Sequence, residues 1–448
     1  MNNRTNLLEG NITSKLVWLA LPIMGTAFLQ MAYNLVDMLW IGRLGSGAVA
    51  AVGTAGFYTW FSLALVRLVQ TGAEVNIAQS IGRGDPKKAG GFASTAIWMA
   101  VFGAIVFSIL VIAFSTPLIT FFGMKNPAVE HQAVVYLRIV GLGMIFTFIN
   151  PVISCVYNAA GKSTIPFKAN VVGLVANIIL DPIFIFPLGM GVAGAAIATV
   201  LAQALVTIVL IILLIKDKPF EGFRGIRNPQ WSDARIISAL GVPVAFQSGL
   251  FTIFGILIAK VIAGFGSDAI AAQKVGIQIE SISYMTASGF AAAVGTFTAQ
   301  NYGAGNKERV IEGIKTAFLL MASFGIFTSL LLFCFAEPLY RIFISKGPSV
   351  AIGIEYLQIL GLSQFFMCVE IALSGLYNGL GRTKPPAIMS VIFTGARVPL
   401  AYLISMPFLL GLSGVWWTIS LSSIIKGILM MLMSYRLIQL YKKQESLN

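Results

Sequence analysis

Apolar stretches of about 20 residues recur along the whole chain, separated by polar connections. At a rise of about 1.5 Å per residue, each stretch is long enough to cross the hydrocarbon core of a bilayer as a helix. Only 10% of the residues are charged, against about a quarter in soluble domains. These stretches therefore predict an all-α polytopic membrane protein.

Twelve transmembrane helices are predicted from these stretches. Their approximate ranges are 14–40, 48–72, 91–115, 131–156, 164–186, 191–215, 234–262, 269–297, 311–334, 351–375, 385–408 and 412–438. The connections are short except at 216–233, which is polar and contains proline and glycine, as linkers often are. We therefore predict an N-terminal six-helix lobe at 1–215, a cytoplasmic linker at 216–233 and a C-terminal six-helix lobe at 234–448.

The two lobes are predicted to be copies of one six-helix unit. A shift of 221 residues places Gly45-Ser46 on Gly266-Ser267, and a shift of 220 places Tyr136-Leu137 on Tyr356-Leu357. Because six is an even number, both copies enter the membrane from the same side and are parallel repeats. In transporters, repeats of this kind place the substrate site near their interface.

The basic residues predict the orientation in the membrane. With the N-terminus inside, external loops hold only Arg43, Lys125, Arg341 and Lys346, and most other basic residues lie on the cytoplasmic side. Cytoplasmic loops of membrane proteins carry such an excess of lysine and arginine. Both termini are therefore predicted to be cytoplasmic. The cytoplasmic residues include Arg4, Lys15, Arg83, Lys87, Lys88, Lys162, Lys168, Lys216, Lys218, Arg224, Arg227, Arg235, Lys307, Arg309, Lys315, Arg382, Lys384, Arg436, Lys442 and Lys443.

One carboxylate, Asp181, lies inside the apolar fifth span, with Asn177 one helical turn away on the same face. An ionised side chain in hydrocarbon is costly, so an acid inside the membrane marks a candidate functional site. Pro182 follows the acid and, having no N–H, frees a carbonyl about one turn earlier. A purely structural role for this pair is the alternative.

Two further polar faces are predicted near the same depth of the N-terminal lobe. In span 1, Gln30, Asn34 and Asp37 follow i, i+4, i+7 spacing, with Tyr33 beside them; in span 6, Thr199 and Gln203 follow i, i+4 spacing. We expect these faces to meet at a buried polar pocket. If span 1 ends slightly earlier, Asp37 lies in the outer interface instead.

The C-terminal copy differs at these positions. Arg397 stands at the repeat position of Asn177, and Ala401 stands at that of Asp181. The lobe carries other charged residues inside its predicted spans: Lys274, Glu280, Glu370 and Arg397. These residues either pair with one another for structure or contribute to a substrate cavity.

An acid inside the membrane is suited to ion-coupled transport. It can load a proton, or it can hold Na⁺ together with amide and hydroxyl oxygens. Loading neutralises the site and changes the conformation that it favours. The expected coupling ion is therefore H⁺ or Na⁺, with no cofactor and no other metal.

Enzymatic and nucleic-acid functions are not indicated. The sequence contains no His-Glu-x-x-His, no Gly-x-Ser-x-Gly and no Walker loop. The formal net charge is +13, but no Lys/Arg run with interleaved aromatic residues is found. The alternative from a different functional class, in place of a coupled transporter, is a channel or a scaffold without transport activity.

Several segments resemble the multidrug and toxic compound extrusion (MATE) family over essentially the whole chain. They are Ala299-Gln-Asn-Tyr-Gly-Ala-Gly305, its echo Ala78-Gln-Ser-Ile-Gly-Arg-Gly84, Tyr33-Asn-Leu-Val-Asp37, the stretch from Asn177 to Pro182, and Gly379-Leu-Gly-Arg-Thr383. The acids in spans 1 and 5 are similar to those of its DNA-damage-inducible branch. The sequence departs from the family after span 4 and in span 7, which holds Gln247 but no acid.

The resemblance implies two six-helix bundles around a V-shaped cavity and export of amphipathic, often cationic drugs against H⁺ or Na⁺. It implies that Asp37 and Asp181, with Asn177 and Thr199, hold the coupling cation. The expected cavity residues are Gln30, Tyr33, Asn34, Asn150, Ser154, Gln203, Glu280 and Arg397.

The resemblance also predicts a monomer in the cytoplasmic membrane of a prokaryote, surrounded by lipid. A flippase for lipid-linked oligosaccharides, from the same superfamily, is the alternative. That activity suits a cavity rich in cationic side chains, whereas the polar pocket predicted in the N-terminal lobe is acidic.

Overall fold

A computed structural model describes residues 6–124, 126–220, 223, 225, 228–406 and 409–445. In this part of the chain the regular structure is entirely helical. The fifteen helices are α1 (Ile12–Gly42), α2 (Ser46–Gly82), α3 (Pro86–Ala113), α4 (Ser115–Thr120), α5 (Pro127–Ala159), α6 (Thr164–Ile185), α7 (Gly191–Lys216), α8 (Trp231–Ala263), α9 (Ser267–Gly303), α10 (Lys307–Cys334), α11 (Ala336–Arg341), α12 (Ser349–Gly361), α13 (Gln364–Gly379), α14 (Lys384–Ile404) and α15 (Gly411–Glu445). The basic residues Arg4, Lys125, Arg224 and Arg227, and the linker residues Glu221, Gly222 and Ile226, lie outside the described residues.

The twelve predicted spans are confirmed as helices of the described chain. Ten helices are long and apolar enough to cross a membrane, or up to eleven if the bent pair α12 and α13 is one span. The twelfth span is α9, whose first half carries Asp268, Lys274 and Glu280 and is therefore less apolar. The predicted span at 351–375 corresponds to two helices, α12 and α13, which meet at an angle of 52°.

The duplication is also visible in the helices. The paired helices α2 and α9 each have 37 residues, α3 and α10 each have 28, and α4 and α11 each have 6. Equal lengths at equal shifts confirm two six-helix repeats with a short extra helix after the third span of each.

Matching residues begin these paired helices. Gly45 and Gly266 precede α2 and α9 with φ of 105° and 100°, a region that only glycine adopts readily. The side chains of Asp85 and Asn306 cap α3 and α10 by accepting hydrogen bonds from the third backbone N–H that follows, at 3.0 and 3.2 Å.

The chain divides into two compact units. The first comprises Met1–Asn6 and Leu21–Ala245, and the second comprises Leu7–Ala20 and Phe246–Asn448. The start of α1 therefore belongs to the second unit, and the start of α8 belongs to the first. In the first unit the start of α8 is joined to α3 by an ion pair of 2.7 Å between Lys88 Nζ and Asp233 Oδ1.

Candidate functional site

Helix α6 positions two polar side chains in the interior of the first unit. Asn177 and Asp181 are four residues apart, so they share one face, and both are 0% exposed. Asn177 Nδ2 donates a hydrogen bond of 3.1 Å to Asp181 Oδ1. Pro182 lies in the last turn of the helix, where its missing N–H leaves a carbonyl of the preceding turn without its helical donor.

Helices α1 and α7 bring a second acid and a hydroxyl to this face. Asp37 is half-buried on α1, and its Oδ2 accepts a hydrogen bond of 3.3 Å from Thr199 Oγ1 on α7. The same hydroxyl is placed within 2.9 Å of Ala195 O in its own helix. The structure therefore brings together the four residues expected to form the cation site, from three different helices.

The two acids are close enough to interact electrostatically, and Asn177 interacts with both of them. Two ionised carboxylates in contact repel each other, so a proton or a cation between them stabilises the pair. Within the described chain, four buried oxygens of this site lack a hydrogen-bonding partner: Tyr33 OH, Asp37 Oδ1, Asn177 Oδ1 and Asp181 Oδ2.

Close packing of α1 on α6 holds Tyr33 beside the acids. Its hydroxyl lies against Gly173, where a Cβ would collide with both this oxygen and the Val206 side chain. Gly173 precedes Asn177 by one turn on the same face of α6. Gly173 thus leaves room for the Tyr33 hydroxyl, and the next two turns of α6 supply the Asn177 amide and the Asp181 carboxyl group.

The remaining span 1 candidates are placed differently. The side chains of Gln30 and Asn34 are exposed, whereas Asp37 is half-buried.

A buried residue that sequence reasoning did not assign to the site is Tyr136 on α5, which is 8% exposed and close enough to interact electrostatically with Asp37 and Asp181. The sequence feature that could have identified Tyr136 is its match to Tyr356 in the second repeat.

A separate polar cluster joins α5 to α7. Thr147 Oγ1 donates to Gln203 Oε1 at 2.8 Å, Asn150 Nδ2 donates to Gln203 O at 3.1 Å, and Thr207 Oγ1 donates to Asn150 Oδ1 at 2.6 Å. Ser154 Oγ donates to Asn150 O within α5. Sequence analysis did not single out Thr147 or Thr207, although Thr207 continues the i, i+4 series of Thr199 and Gln203.

The second unit has its own half-buried acid, Glu280 on α9. Its Oε2 accepts a hydrogen bond of 3.2 Å from Tyr356 OH on α12, and its Oε1 accepts one of 3.0 Å from Gln364 Nε2 on α13. Gln364 is 0% exposed and is the first residue of α13, directly after the bend. The side chain of Gln364 therefore connects the first turn of α13 to the carboxylate.

Two further cations of this unit, Arg397 and Lys426, lie in α14 and α15. The Arg397 guanidinium donates to Ser422 Oγ at 2.5 Å and to Ser423 Oγ at 2.9 Å. Lys426 Nζ lies 3.5 Å from Glu370 Oε2, with both side chains 8% exposed. Glu280 and Arg397, both expected in a substrate cavity, interact electrostatically within the second unit.

The site in the first unit is chemically suited to exchange a monovalent cation. It offers two carboxyl groups, an amide oxygen and a hydroxyl, all of which are hard oxygen ligands. Among the described residues, no group of three or more His, Cys, Asp or Glu side chains is arranged to hold a metal ion. Binding one H⁺ or Na⁺ between Asp37 and Asp181 removes their repulsion, and releasing it restores that repulsion.

Comparisons with known proteins agree with this architecture. A family model described as MatE matches residues 22–183 and 243–403, one range in each repeat. The probable multidrug resistance protein NorM of Thermotoga maritima is 32% identical over 410 residues, which cover 90% of this chain and 88% of that protein. The multidrug export protein MepA of Staphylococcus aureus is 21% identical over 420 residues and covers 93% and 92%.

Solved structures share the fold. A MOP superfamily transporter from Pyrococcus furiosus superposes with a TM-score of 0.91 at 24% identity and covers 99% of both chains. A structure described as MATE in the straight conformation superposes with a TM-score of 0.87 at 26% identity, covering 99% of this chain and 100% of the other.

Proposed function

The chain belongs to the MATE family, whose model matches both repeats, and on that premise we propose that it is a secondary-active multidrug efflux transporter. It exchanges amphipathic, cationic compounds for H⁺ or Na⁺ by alternating access. The multidrug resistance and export proteins among its relatives support this substrate class. It is a transporter and not an enzyme.

The observation that carries the proposal is the Asp37–Asp181 pair, in which Asp181 is fully buried and Asp37 is half-buried. Asn177 and Thr199 each donate a hydrogen bond to one of these acids, and together the four residues bind the coupling cation. Because loading changes the charge of the pair, the loaded and empty protein favour different conformations. The pairing of an acid on α1 with an Asn-Asp face on α6 is the basis for assigning the chain to the DNA-damage-inducible branch.

The protein works as a monomer in the cytoplasmic membrane of a prokaryote, with both termini in the cytoplasm. The bias of basic loop residues supports this orientation. Substrates are small organic cations, which enter beside exposed or half-exposed polar groups such as Gln30, Asn34 and Gln203.

Efflux of ethidium from reconstituted vesicles tests the proposal. A pH gradient and a Na⁺ gradient are imposed separately on vesicles containing the wild-type protein or Asp181→Asn. We expect one gradient to drive efflux, and we expect Asp181→Asn to reduce it at least tenfold, because the variant retains the shape of the acid but not its charge.

The control variant is Asp217→Asn, which makes the same chemical change outside the membrane spans and leaves Asp37 and Asp181 intact. Correct insertion of Asp181→Asn is verified by gel filtration. Wild-type efflux by that variant would disprove the role of the acid pair. Absence of efflux under both gradients, from folded wild-type protein, would disprove coupled export of this drug class.

A further inference from the structure

The short helix after the third span of the first repeat, α4, borders an apolar cavity. A hydrogen bond of 2.7 Å from Tyr58 OH to Leu118 O holds α4 against α2. The cavity has a volume of about 410 Å³ and is lined by Tyr58, Phe114, Pro117, Leu118 and Phe121. The side chains of Phe114 and Phe121 are 55% and 84% exposed. Because aromatic residues at the end of a membrane span lie at the lipid interface, this cavity is accessible to lipid.

An arginine on α5 is fixed beside this cavity. Arg138 Nε donates a hydrogen bond of 2.8 Å to Ser115 Oγ, and Arg138 Nη2 donates one of 3.4 Å to Thr116 Oγ1. These two hydroxyl residues stand between Phe114 and Pro117, which line the cavity. The guanidinium therefore lies next to the segment that forms the cavity wall, and its orientation is set by two hydrogen bonds.

The charge of Arg138 has no acid beside it. The residue is exposed and lies inside the predicted span 131–156, where a cation is costly unless it has a partner. Among the described residues, no carboxylate oxygen lies within 4.0 Å of its nitrogens. Its remaining N–H groups have no acceptor in the described chain. Guanidinium N–H groups match the oxygens of a phosphate in pairs, so a phosphate group would satisfy both the charge and the donors.

The second repeat has a different arrangement at the matching positions. At a shift of 220, Arg138 falls on Gln358, directly after the matched Tyr-Leu pair; at a shift of 221, Thr116 falls on Glu337. Glu337 Oε1 lies 2.8 Å from Arg341 Nε within α11. The cation of the second short helix is thus compensated by the protein, whereas the cation beside the first is available to a ligand.

We propose that Arg138 and the cavity beside α4 bind one anionic phospholipid of the outer leaflet. The guanidinium, oriented by Ser115 and Thr116, receives the phosphodiester, and the apolar cavity receives part of an acyl chain. Basic pockets between membrane helices bind lipid headgroups in this way. A lipid with one net negative charge compensates Arg138, whereas a zwitterionic lipid brings a cation of its own. The choice of leaflet follows from the predicted orientation, and lipid binding itself is independent of the proposed efflux.

The test is photo-crosslinking of the full-length protein in phosphatidylcholine vesicles. The vesicles contain a small fraction of phosphatidylglycerol that carries a diazirine in its acyl chain, and peptide mapping locates the crosslinks. We expect crosslinks in the segment 114–121. Unlabelled phosphatidylglycerol should compete with them, whereas additional phosphatidylcholine and soluble glycerol 3-phosphate should not, because the first lacks the net charge and the second lacks the acyl chain.

Replacement of Arg138 should remove this site selectively. Arg138→Gln introduces the residue type that the second repeat has at the matching position. Since hydrogen bonds to charged groups are among the strong ones, crosslinking in the segment 114–121 should fall about tenfold, while crosslinks elsewhere in the protein stay at the wild-type level. The matched control is Arg341→Gln beside the other short helix, which should leave crosslinking of 114–121 unchanged.

Three results would overturn the proposal. If phosphatidylcholine competes as well as phosphatidylglycerol, the site does not recognise an anionic lipid. If glycerol 3-phosphate competes equally, a free phosphate compound and not a lipid is the ligand. If Arg138→Gln crosslinks like wild type, the guanidinium takes no part. The two competition experiments use wild-type protein and decide the question even if Arg138→Gln fails to insert. None of them measures drug export, so failure of the proposed function is detected separately.

Discussion

At the scale of single residues, the spacing of polar residues predicted which side chains share a helix face but not which of them are buried. The i, i+4 spacing of Asn177 and Asp181 indicated a shared face, and the structure shows the hydrogen bond between them. The same kind of spacing grouped Gln30 and Asn34 with Asp37, yet these two side chains are exposed. Periodicity defines a face of one helix, whereas burial is decided by the helices that cover it.

Replacement of Thr199 by valine is expected to separate the two candidate coupling ions. The variant preserves the side-chain shape but removes the hydroxyl that donates to Asp37. A hydrogen bond of this kind contributes about 0.5–1.5 kcal/mol, or roughly a two- to tenfold change in affinity. Losing an oxygen ligand weakens Na⁺ binding, whereas losing a donor to the ionised acid strengthens H⁺ binding.

The measurement is the ion concentration that gives half-maximal efflux in reconstituted vesicles. It should rise for Na⁺ coupling and fall for H⁺ coupling, while Thr199→Ser, which retains the hydroxyl, should remain near wild type. An unchanged value in Thr199→Val would show that this hydroxyl does not contribute to ion binding.

At the scale of helices, the existence and order of the spans followed from hydropathy, but their irregularities did not. The bend between α12 and α13 falls at Leu362-Ser363, with no proline there to predict it. The corresponding residues of the first repeat lie inside the unbroken α5. The contact of Lys88 with Asp233 joins residues far apart in sequence, and no local pattern connects them. Long-range contacts of this kind depend on tertiary packing.

The ion pair between α3 and the start of α8 is expected to stabilise the first unit. Asp233 is 1% exposed at its side chain and Lys88 is 41% exposed, so Lys88→Met leaves a buried carboxylate without its cation. Loss of a hydrogen bond to a charged group costs about 1–3 kcal/mol. The free energy of unfolding in mixed micelles should fall by about that amount.

Lys88→Arg retains the charge and serves as the control for this change. Adding Asp233→Asn to Lys88→Met should recover part of the lost stability, because no uncompensated charge remains. Equal stability of wild type and Lys88→Met would mean that solvent compensates Asp233 fully.

At the scale of the whole molecule, the duplication was the most informative sequence feature. Matched dipeptides at two nearly equal shifts predicted a repeat, and in the structure α2 and α9 have equal lengths, as do α3 and α10. The bounds of the two lobes, 1–215 and 234–448, and of the linker, 216–233, stay predictions. The assignment of each charged residue to coupling or to structure was beyond the sequence, since it depends on which charges compensate each other.

The predicted orientation is expected to appear in cysteine labelling of intact cells. With exposed Cys334 replaced by serine, Leu44→Cys in the loop after α1 should react with a membrane-impermeant maleimide. Lys87→Cys at the start of α3 should react only after permeabilisation, because its loop is predicted to be cytoplasmic. Both positions are exposed. The reverse pattern would mean that both termini lie outside.

The equal lengths of α2 and α9, and of α3 and α10, raise the question of whether one half could replace the other. A chain built from two copies of the second half would preserve the starts of α9 and α10, with Gly266 and Asn306 in place. It would nevertheless have Ile258 and Ala401 at the positions of Asp37 and Asp181 in both halves, and the acid pair in neither. The two halves therefore share a scaffold but not its charged residues: the acid pair that we propose to bind the coupling ion is present in one half and has no counterpart at the matching positions of the other.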